Sequence, residues 1–317
     1  MLPAEREHSR VLIYEVLPSR YGFNVHHLRA ADAIELTIGQ GAKPATGGVL
    51  LGAKVSPEIA AARDLPPGVD QRSPARHPDF LGPDDMIIKI EELREATDGQ
   101  VPIFVKLGAT RVYDDVKLAA KAGADVVVVD GMEGGTAASP EILQDHTGIP
   151  TLAAVCEARR ALQDMGLYGH MQLIIAGGVR SGVDAAKALA LGADAVYIGT
   201  AALIALNCNK PLYVEDYHAL GTEPYACHHC DTGRCPVGIT TQDPELMKRL
   251  PIDEAAERVA NFMHAMTLEI QMLARACGKA DVHDLEPEDL GPLTIEAAAI
   301  TGLPLVGTRW VPGREPG

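Results

Sequence analysis

The run "DVVVVDG" (125–131) constrains the fold more than any other stretch. Four successive valines leave no polar face, so a strand made from them must be covered on both sides. The same kind of run recurs as "VPIFVKLG" (101–108), "QLIIAGG" (172–178) and "DAVYIGT" (194–200), with "AIELTIGQ" (33–40) as an earlier strand. Helical segments alternate with them: "YDDVKLAAKAGA" (113–124), "PTLAAVCEARRALQDMG" (150–166) and "SGVDAAKALALGA" (181–193). Buried strands each followed by a helix make parallel β/α units. Aromatic residues are only 4%, so aliphatic side chains fill the core. At 317 residues the chain fits two compact domains or one large α/β domain with extensions.

The formal charge is −15. That argues against nucleic acid and anionic lipid as partners. No apolar run approaches the ~18 residues of a membrane span. The start, "MLPAEREHSR", lacks the apolar core of a signal peptide, and six cysteines are too unevenly spaced for a secreted disulfide framework. A cytoplasmic location is expected.

Polar residues collect where strands end. Lys106, Asp130, Gly177, Gly178, Gly199 and Thr200 all finish or follow one. That edge carries the ligand in parallel barrels and open α/β sheets alike. "IIAGGVRSG" places Gly177, Gly178 and Gly182 between strand and helix, and "YIGTAALIAL" places Gly199 and Thr200 at a helix start. Such turns suit a phosphate. Neither is a Walker A loop or a dinucleotide fingerprint. A flavin mononucleotide fits, with Lys106 supplying positive charge to the N1/O2 edge where reduction adds negative charge. The plainer readings are that the glycines make turns and that Lys106 snorkels at a rim.

Two Gly/Pro-rich connections break the rhythm, at 39–83 and 207–242. Helices are expected over 84–97, capped by Asp84, and over 252–278, starting near Asp253 and stopping near Gly278. The second connection holds "CHHCDTGRCPVGITTQ", in which Cys227, Cys230 and Cys235 read C-x2-C-x4-C with Pro236 after the last. Tight cysteine runs closed by Cys-Pro are an iron–sulfur pattern. Zinc and free thiols remain alternatives, since zinc normally takes four ligands and His228 and His229 lie too close to serve as the fourth. Cys208, nineteen residues upstream of Cys227, is a candidate fourth ligand or an alternative to Cys227. Cys156 and Cys277 fall in helical patterns and read as inert.

Six ordered motifs resemble the FMN-binding domain of glutamate synthase, closest to the archaeal-type large subunit and N-methylglutamate synthase. They are "IGQGAKPATGG" (38–48), "RSPARHPD" (72–79), "VKLGAT" (105–110), "DGMEGGTAASP" (130–140), "AGGVRSGVDAAKALALGADAVYIGTA" (176–201) and the cysteine stretch. The resemblance covers roughly residues 1–250. It implies a (β/α)8 TIM barrel with FMN at its mouth and a 3Fe–4S or 4Fe–4S cluster nearby. It implies reduction of 2-iminoglutarate, formed from 2-oxoglutarate and ammonia, to glutamate. The implied 2-oxoglutarate site is Gln40, Lys43 and Arg63; the implied FMN site includes Lys106, Gly134, Gly135, Gly177, Gly178, Gly199 and Thr200. Lys106 and Lys43 are the candidate catalytic residues.

Three features depart from the family. Only about five barrel strands are visible (33–39, 101–106, 125–129, 172–176 and 195–198), so either a further chain completes the barrel, or this is a fragment, or the chain folds differently. The family's Gly-Glu-Gly-Gly after QGAKP is Ala45-Thr46-Gly47-Gly48 here, which removes a carboxylate beside the dicarboxylate clamp. The stretch 209–226 is long, which bears on Cys208 as a ligand. The expected organisation is a partial barrel (1–207), a cluster segment (208–242) and a helical C-terminal extension (243–317). The expected partners are an electron donor protein or reductase subunit, an amidotransferase or other ammonia source, and the strand-supplying chain. Three other readings stand beside glutamate synthesis: methylamine in place of ammonia, a non-catalytic electron-transfer or assembly subunit, and a zinc-stabilised interaction domain on Cys227, Cys230, Cys235 and either Cys208 or a histidine.

Overall fold

The computed structural model describes residues 1–44, 47–135 and 139–313. Among the described residues eight strands form in chain order: β1 (Ile13–Val16), β2 (Ala33–Thr37), β3 (Val49–Leu50), β4 (Gln71–Arg72), β5 (Ile103–Gly108), β6 (Val126–Asp130), β7 (Gln172–Ala176) and β8 (Ala195–Val196). Six of them make one sheet in the order β1-β2-β5-β6-β7-β8, and every pairing in it is parallel. β3 and β4 form a separate antiparallel ribbon within the first long connection.

The valine run explains itself in this sheet. Val127 and Val129 join the large core under the helices with Ile34, Leu36, Val105 and Ile175. Val126 and Val128 turn the other way and pack with Ala33, Phe104 and Ile174 on the inner face. Both faces are covered, so alternation disappears from the sequence. The parity of each strand also fixes its polar residues. Glu35 and Thr37 alternate with Ala33, Lys106 with Phe104, and Asp130 with Val128, so all four belong to the inner face.

A repeated device pins neighbouring strands. Asp32, Asp125 and Asp194 each precede a strand, and each follows an alanine. The Asp32 carboxylate accepts the Leu12 N–H at 2.7 Å, Asp125 that of Ile103 at 2.7 Å, and Asp194 that of Leu173 at 2.7 Å. The same three aspartates return their own N–H groups to the carbonyls of those residues at 2.7–2.9 Å. This closed pair of bonds sets the register of β1–β2, β5–β6 and β7–β8 at their N-terminal ends.

Two sequence expectations need correction. The sheet has six strands, not about five, because residues 13–16 form β1. Its burial is partial, and the inward Glu15 interrupts its apolar pattern. Helix Pro83–Ala96 is capped by the Gly82 backbone rather than by Asp84. Pro83 starts it, since proline lacks the N–H that the first turn leaves unused, and Asp84 falls within that turn. The long helix Ile252–Ala276 forms as expected, and Gly278 follows it at φ +76°. It lies against helix Gly182–Ala190, where Glu269 accepts the Gly182 N–H at 2.7 Å. Gly182 therefore serves this helix contact.

Among the described residues no helix is long and apolar enough to cross a membrane.

Asp125→Ala removes two strand-start interactions, one to Ile103 and an ion pair with Arg94 at 2.9 Å. Half-exposure of the pair limits its worth. The expected loss is about 1–2 kcal/mol, read as a lower urea midpoint with an unchanged slope.

Candidate active site at the strand C-terminal edge

The C-terminal ends of the strands open into a cavity of about 760 Å³. Lys106 and the turn glycines Gly134 and Gly135 line one side of it. Gly177, Gly178, Gly199 and Thr200 line another. The structure thus brings together every residue that the sequence assigned to the flavin. Phe262, from the long C-terminal helix, forms part of the wall.

The glycines do not have equal standing. Gly177 and Gly178 sit at φ +100° and +69°, where a side chain is strained. A Cβ on Gly177 would lie 2.7 Å from the Thr151 hydroxyl, and one on Gly178 would lie 2.9 Å from Glu133 Cβ. Packing alone therefore accounts for both. Gly199 differs: it has no positive φ, and a Cβ there would meet nothing within 4 Å. Its bare backbone faces open space in the cavity wall, which is what close approach of a ligand requires.

A second pocket of about 210 Å³ adjoins the first, and Gln40 lines both. Lys43 and Arg63 line this smaller pocket, so the three residues expected to bind a dicarboxylate do converge. They arrive by different routes. Gln40 and Lys43 exchange backbone hydrogen bonds at 3.2 and 3.5 Å in a tight turn after β2. Arg63 ends the helix Pro57–Arg63, which Asp64 closes at φ +53°. Burial lowers the pKa of the Lys43 ammonium, and Glu15 opposes that shift. Ser19 and Tyr21 also line this pocket, and their buried hydroxyls have no hydrogen-bond partner among the described residues. The sequence reading missed both, because nothing in their spacing marks them. Of the Ala45-Thr46-Gly47-Gly48 substitution, Gly47 and Gly48 line the pocket, while Ala45 and Thr46 lie outside the described residues.

Beneath the two pockets the inner face carries charge. Glu35 is 4% exposed and Asp130 6%. Burial raises the pKa of each carboxyl, with Lys106 opposing in both cases. A Gly41 N–H also stabilises the Asp130 carboxylate, whose Oδ1 has no partner among the described residues.

The cysteine segment packs against the first long connection. Lys54 Nζ donates to the Cys230 carbonyl at 2.9 Å, and Ser56 to Gln242 at 2.9 Å. Cys227, Cys230, Cys235 and Cys208 share one neighbourhood. Burial, then the charges of Cys230, Cys235 and Cys227, push the Cys208 thiol up to about 11. Cys235 goes the other way. Burial opposes its ionisation, but N–H groups of Thr240, Val237 and Ile239 aim at the sulfur and bring it below the ordinary thiol range. Donors aimed at a thiol sulfur favour its ionised form. Neighbouring His229 is turned away, with Nε2 3.1 Å from the Leu220 carbonyl. Among the described residues no three His, Cys, Asp or Glu side chains converge as they would around a single ion.

Comparison with known proteins gives this geometry its context. The pattern described as "Conserved region in glutamate synthase" matches residues 1–280. The chain belongs to the glutamate synthase family. It is 58% identical over 314 residues to a glutamate synthase large subunit-like protein of Rhizobium meliloti, covering 99% of this chain and 71% of that protein. It is 42% identical over 275 residues to an archaeal glutamate synthase [NADPH] of Methanocaldococcus jannaschii, covering 86% of this chain and 51% of that one. It thus spans about half the length of that archaeal relative, and only 16% of the glutamate synthase [NADPH] large chain of Bacillus subtilis, to which it is 35% identical with 85% of this chain covered. Among solved structures, a double mutant of flavocytochrome b2 with pyruvate bound superimposes with a TM-score of 0.51 at 19% identity, covering 97% of this chain and 61% of that one. That likeness concerns the fold.

The contrast between the glycines is testable by stability. Gly177→Val is expected to lower the urea midpoint by the equivalent of 2 kcal/mol or more, through strain and overpacking, each of which costs about 1–3 kcal/mol. Gly199→Val is expected to stay within ~0.5 kcal/mol of the parent.

Proposed function

We propose that this chain is the FMN-binding, substrate-reducing part of a glutamate synthase-like oxidoreductase, converting 2-iminoglutarate to glutamate. The observation that carries the reading is the pair of adjoining pockets that share Gln40. One is large enough for a flavin ring, and the other is small and carries two cationic side chains.

The residues present suit FMN. Gly199 leaves backbone open to the larger cavity, and Thr200 beside it begins a helix, so a phosphate there meets N–H groups without steric hindrance. Lys106 stands on the inner face with its side chain 14% exposed, where it stabilises negative charge above the strand ends. Lys43 and Arg63 hold a dicarboxylate from two sides, and Gln40 bridges the pockets so that the substrate's reacting carbon faces the larger one. FMN, when bound, supplies hydride transfer.

An iron–sulfur cluster on Cys227, Cys230 and Cys235, with Cys208 as the candidate fourth ligand, would carry electrons towards the flavin. Soft thiolate donors and the backbone cradle around Cys235 support this reading. The assembly is proposed to include an electron donor protein and a source of ammonia or alkylamine. Among the described residues neither β1 nor β8 has a neighbour on its outer side. Strands from another chain, or from another part of a longer one, are proposed to close the barrel there, since an open parallel edge exposes unpaired backbone groups. The proposed organisation remains the partial barrel 1–207, the cluster segment 208–242 and the C-terminal extension 243–317.

The test is anaerobic purification with whatever accompanies the chain, followed by flavin and iron analysis. One FMN and three or four irons per chain are expected. Iron without flavin would favour the electron-transfer reading, and neither would remove both cofactors from the account. Cys230→Ser is expected to lose iron while retaining flavin. Lys43→Ala is expected to raise KM for 2-oxoglutarate by about tenfold or more, the worth of one charge-assisted contact. An unchanged KM would remove Lys43 from the clamp.

A further inference from the structure

Five polar side chains meet on the inner face below the cavity, and the function proposed above uses only one of them. Glu15 and Glu35 are direct partners in the β1–β2 register. The Thr37 hydroxyl donates to Glu15 at 3.0 Å and lies 3.5 Å from Glu35 Oε1. Across β2–β5, Lys106 pairs with Thr37, and its ammonium lies 3.9 Å from Glu35 Oε1. The same ammonium lies 5.8 Å from the centre of the Tyr197 ring, next to β8. Among the described residues neither Glu35 Oε2 nor the Tyr197 hydroxyl has a well-formed hydrogen bond, yet the two groups face each other closely enough that each shifts the other's ionisation.

A carboxylate this deeply buried is costly unless an opposite charge faces it. The groups around Glu35 are Glu15, Thr37, Lys106 and Tyr197, and Lys106 is the one cation among them. Glu15 raises the cost of ionising Glu35, and the charge of Glu35 in turn drives the Tyr197 phenol upward, after burial itself. Tyr197 therefore stays neutral and presents its ring to the ammonium. Lys106 is held between a carboxylate on β2 and an aromatic ring beyond β8, on the floor of the cavity.

We propose that Glu35 is the positioning residue of Lys106: it fixes the ammonium at the cavity floor and offsets part of its charge. Where this bears on the flavin it depends on the FMN reading above. A compensated lysine stabilises an anionic reduced ring less than a free one does. Glu35 thus sets how readily the ring takes up electrons, without touching it.

The experiment measures two things on the complex as purified, in the parent, Glu35→Gln and Glu35→Asp. The first is the rate of Lys106 acylation by an amine-reactive reagent at fixed pH, read by mass spectrometry against exposed Lys248 as an internal control. An amine reacts only when unprotonated, so loss of the counter-ion speeds labelling. Glu35→Gln is expected to label Lys106 at least threefold faster, and Glu35→Asp, which keeps the charge one methylene further back, to fall between. The second is the midpoint potential of the bound flavin. Glu35→Gln is expected to raise it by about 30 mV or more, a tenfold change in the two-electron equilibrium. Labelling at the parent rate in both variants would overturn the positioning role, whether or not flavin is bound. Faster labelling with an unmoved potential would overturn the tuning role. Faster labelling with no flavin in any of the proteins, the parent included, would sustain the ion pair and sink the FMN reading. Should Glu35→Gln fail to fold, the labelling rate of Glu35→Asp decides by itself.

Discussion

Thr37 of β2 lies opposite Lys106 of β5, and most of the site follows from that register. It places Lys106 beside Glu35, in the wall of the cavity that Gln40 also lines. Because all six strands run the same way, every turn that follows a strand emerges at the same edge. A slip of one residue would turn Lys106, Glu35 and Asp130 into the helix-covered core and bring Val105 and Val129 to the floor of the cavity. The paired hydrogen bonds made by Asp32, Asp125 and Asp194 hold β1–β2, β5–β6 and β7–β8 in register from the opposite end of the sheet. Stability and chemistry are thus separated along each strand.

Separation also appears among the irregular segments. The 39–83 connection carries Lys43 and Arg63, the 207–242 connection carries the clustered cysteines, and the Lys54–Cys230 and Ser56–Gln242 bonds join them. The connection that brings Lys43 and Arg63 to the smaller pocket is therefore also tied to the cysteine segment. In the proposed enzyme this keeps an electron relay close to the substrate without placing it in the flavin cavity.

Much of this was legible in the sequence, for physical reasons that differ by residue. The valine run of β6 forced a two-sided parallel sheet, and polar residues at strand ends marked the working edge. The motif resemblance assigned Gln40, Lys43 and Arg63 to one site, and all three line one pocket. β1 was hidden because its inward Glu15 breaks the apolar pattern, and the pairing of Glu15 with Glu35 appears only once two strands are in register. Tyr197 was hidden likewise, being 91 residues from Lys106 in the chain. The glycine turns were read correctly in place but evenly in weight. Only the surroundings show that Gly178 serves packing while Gly199 leaves space.

The central claim is that flavin and dicarboxylate occupy adjoining pockets joined at Gln40. It is tested most directly by titrating 2-oxoglutarate into the FMN-loaded protein and following the visible flavin bands. A saturable change in those bands is expected, because a dicarboxylate held by Lys43 and Arg63 alters the polarity at the ring's edge. Tight 2-oxoglutarate binding that leaves the flavin bands unmoved at saturation would contradict the account.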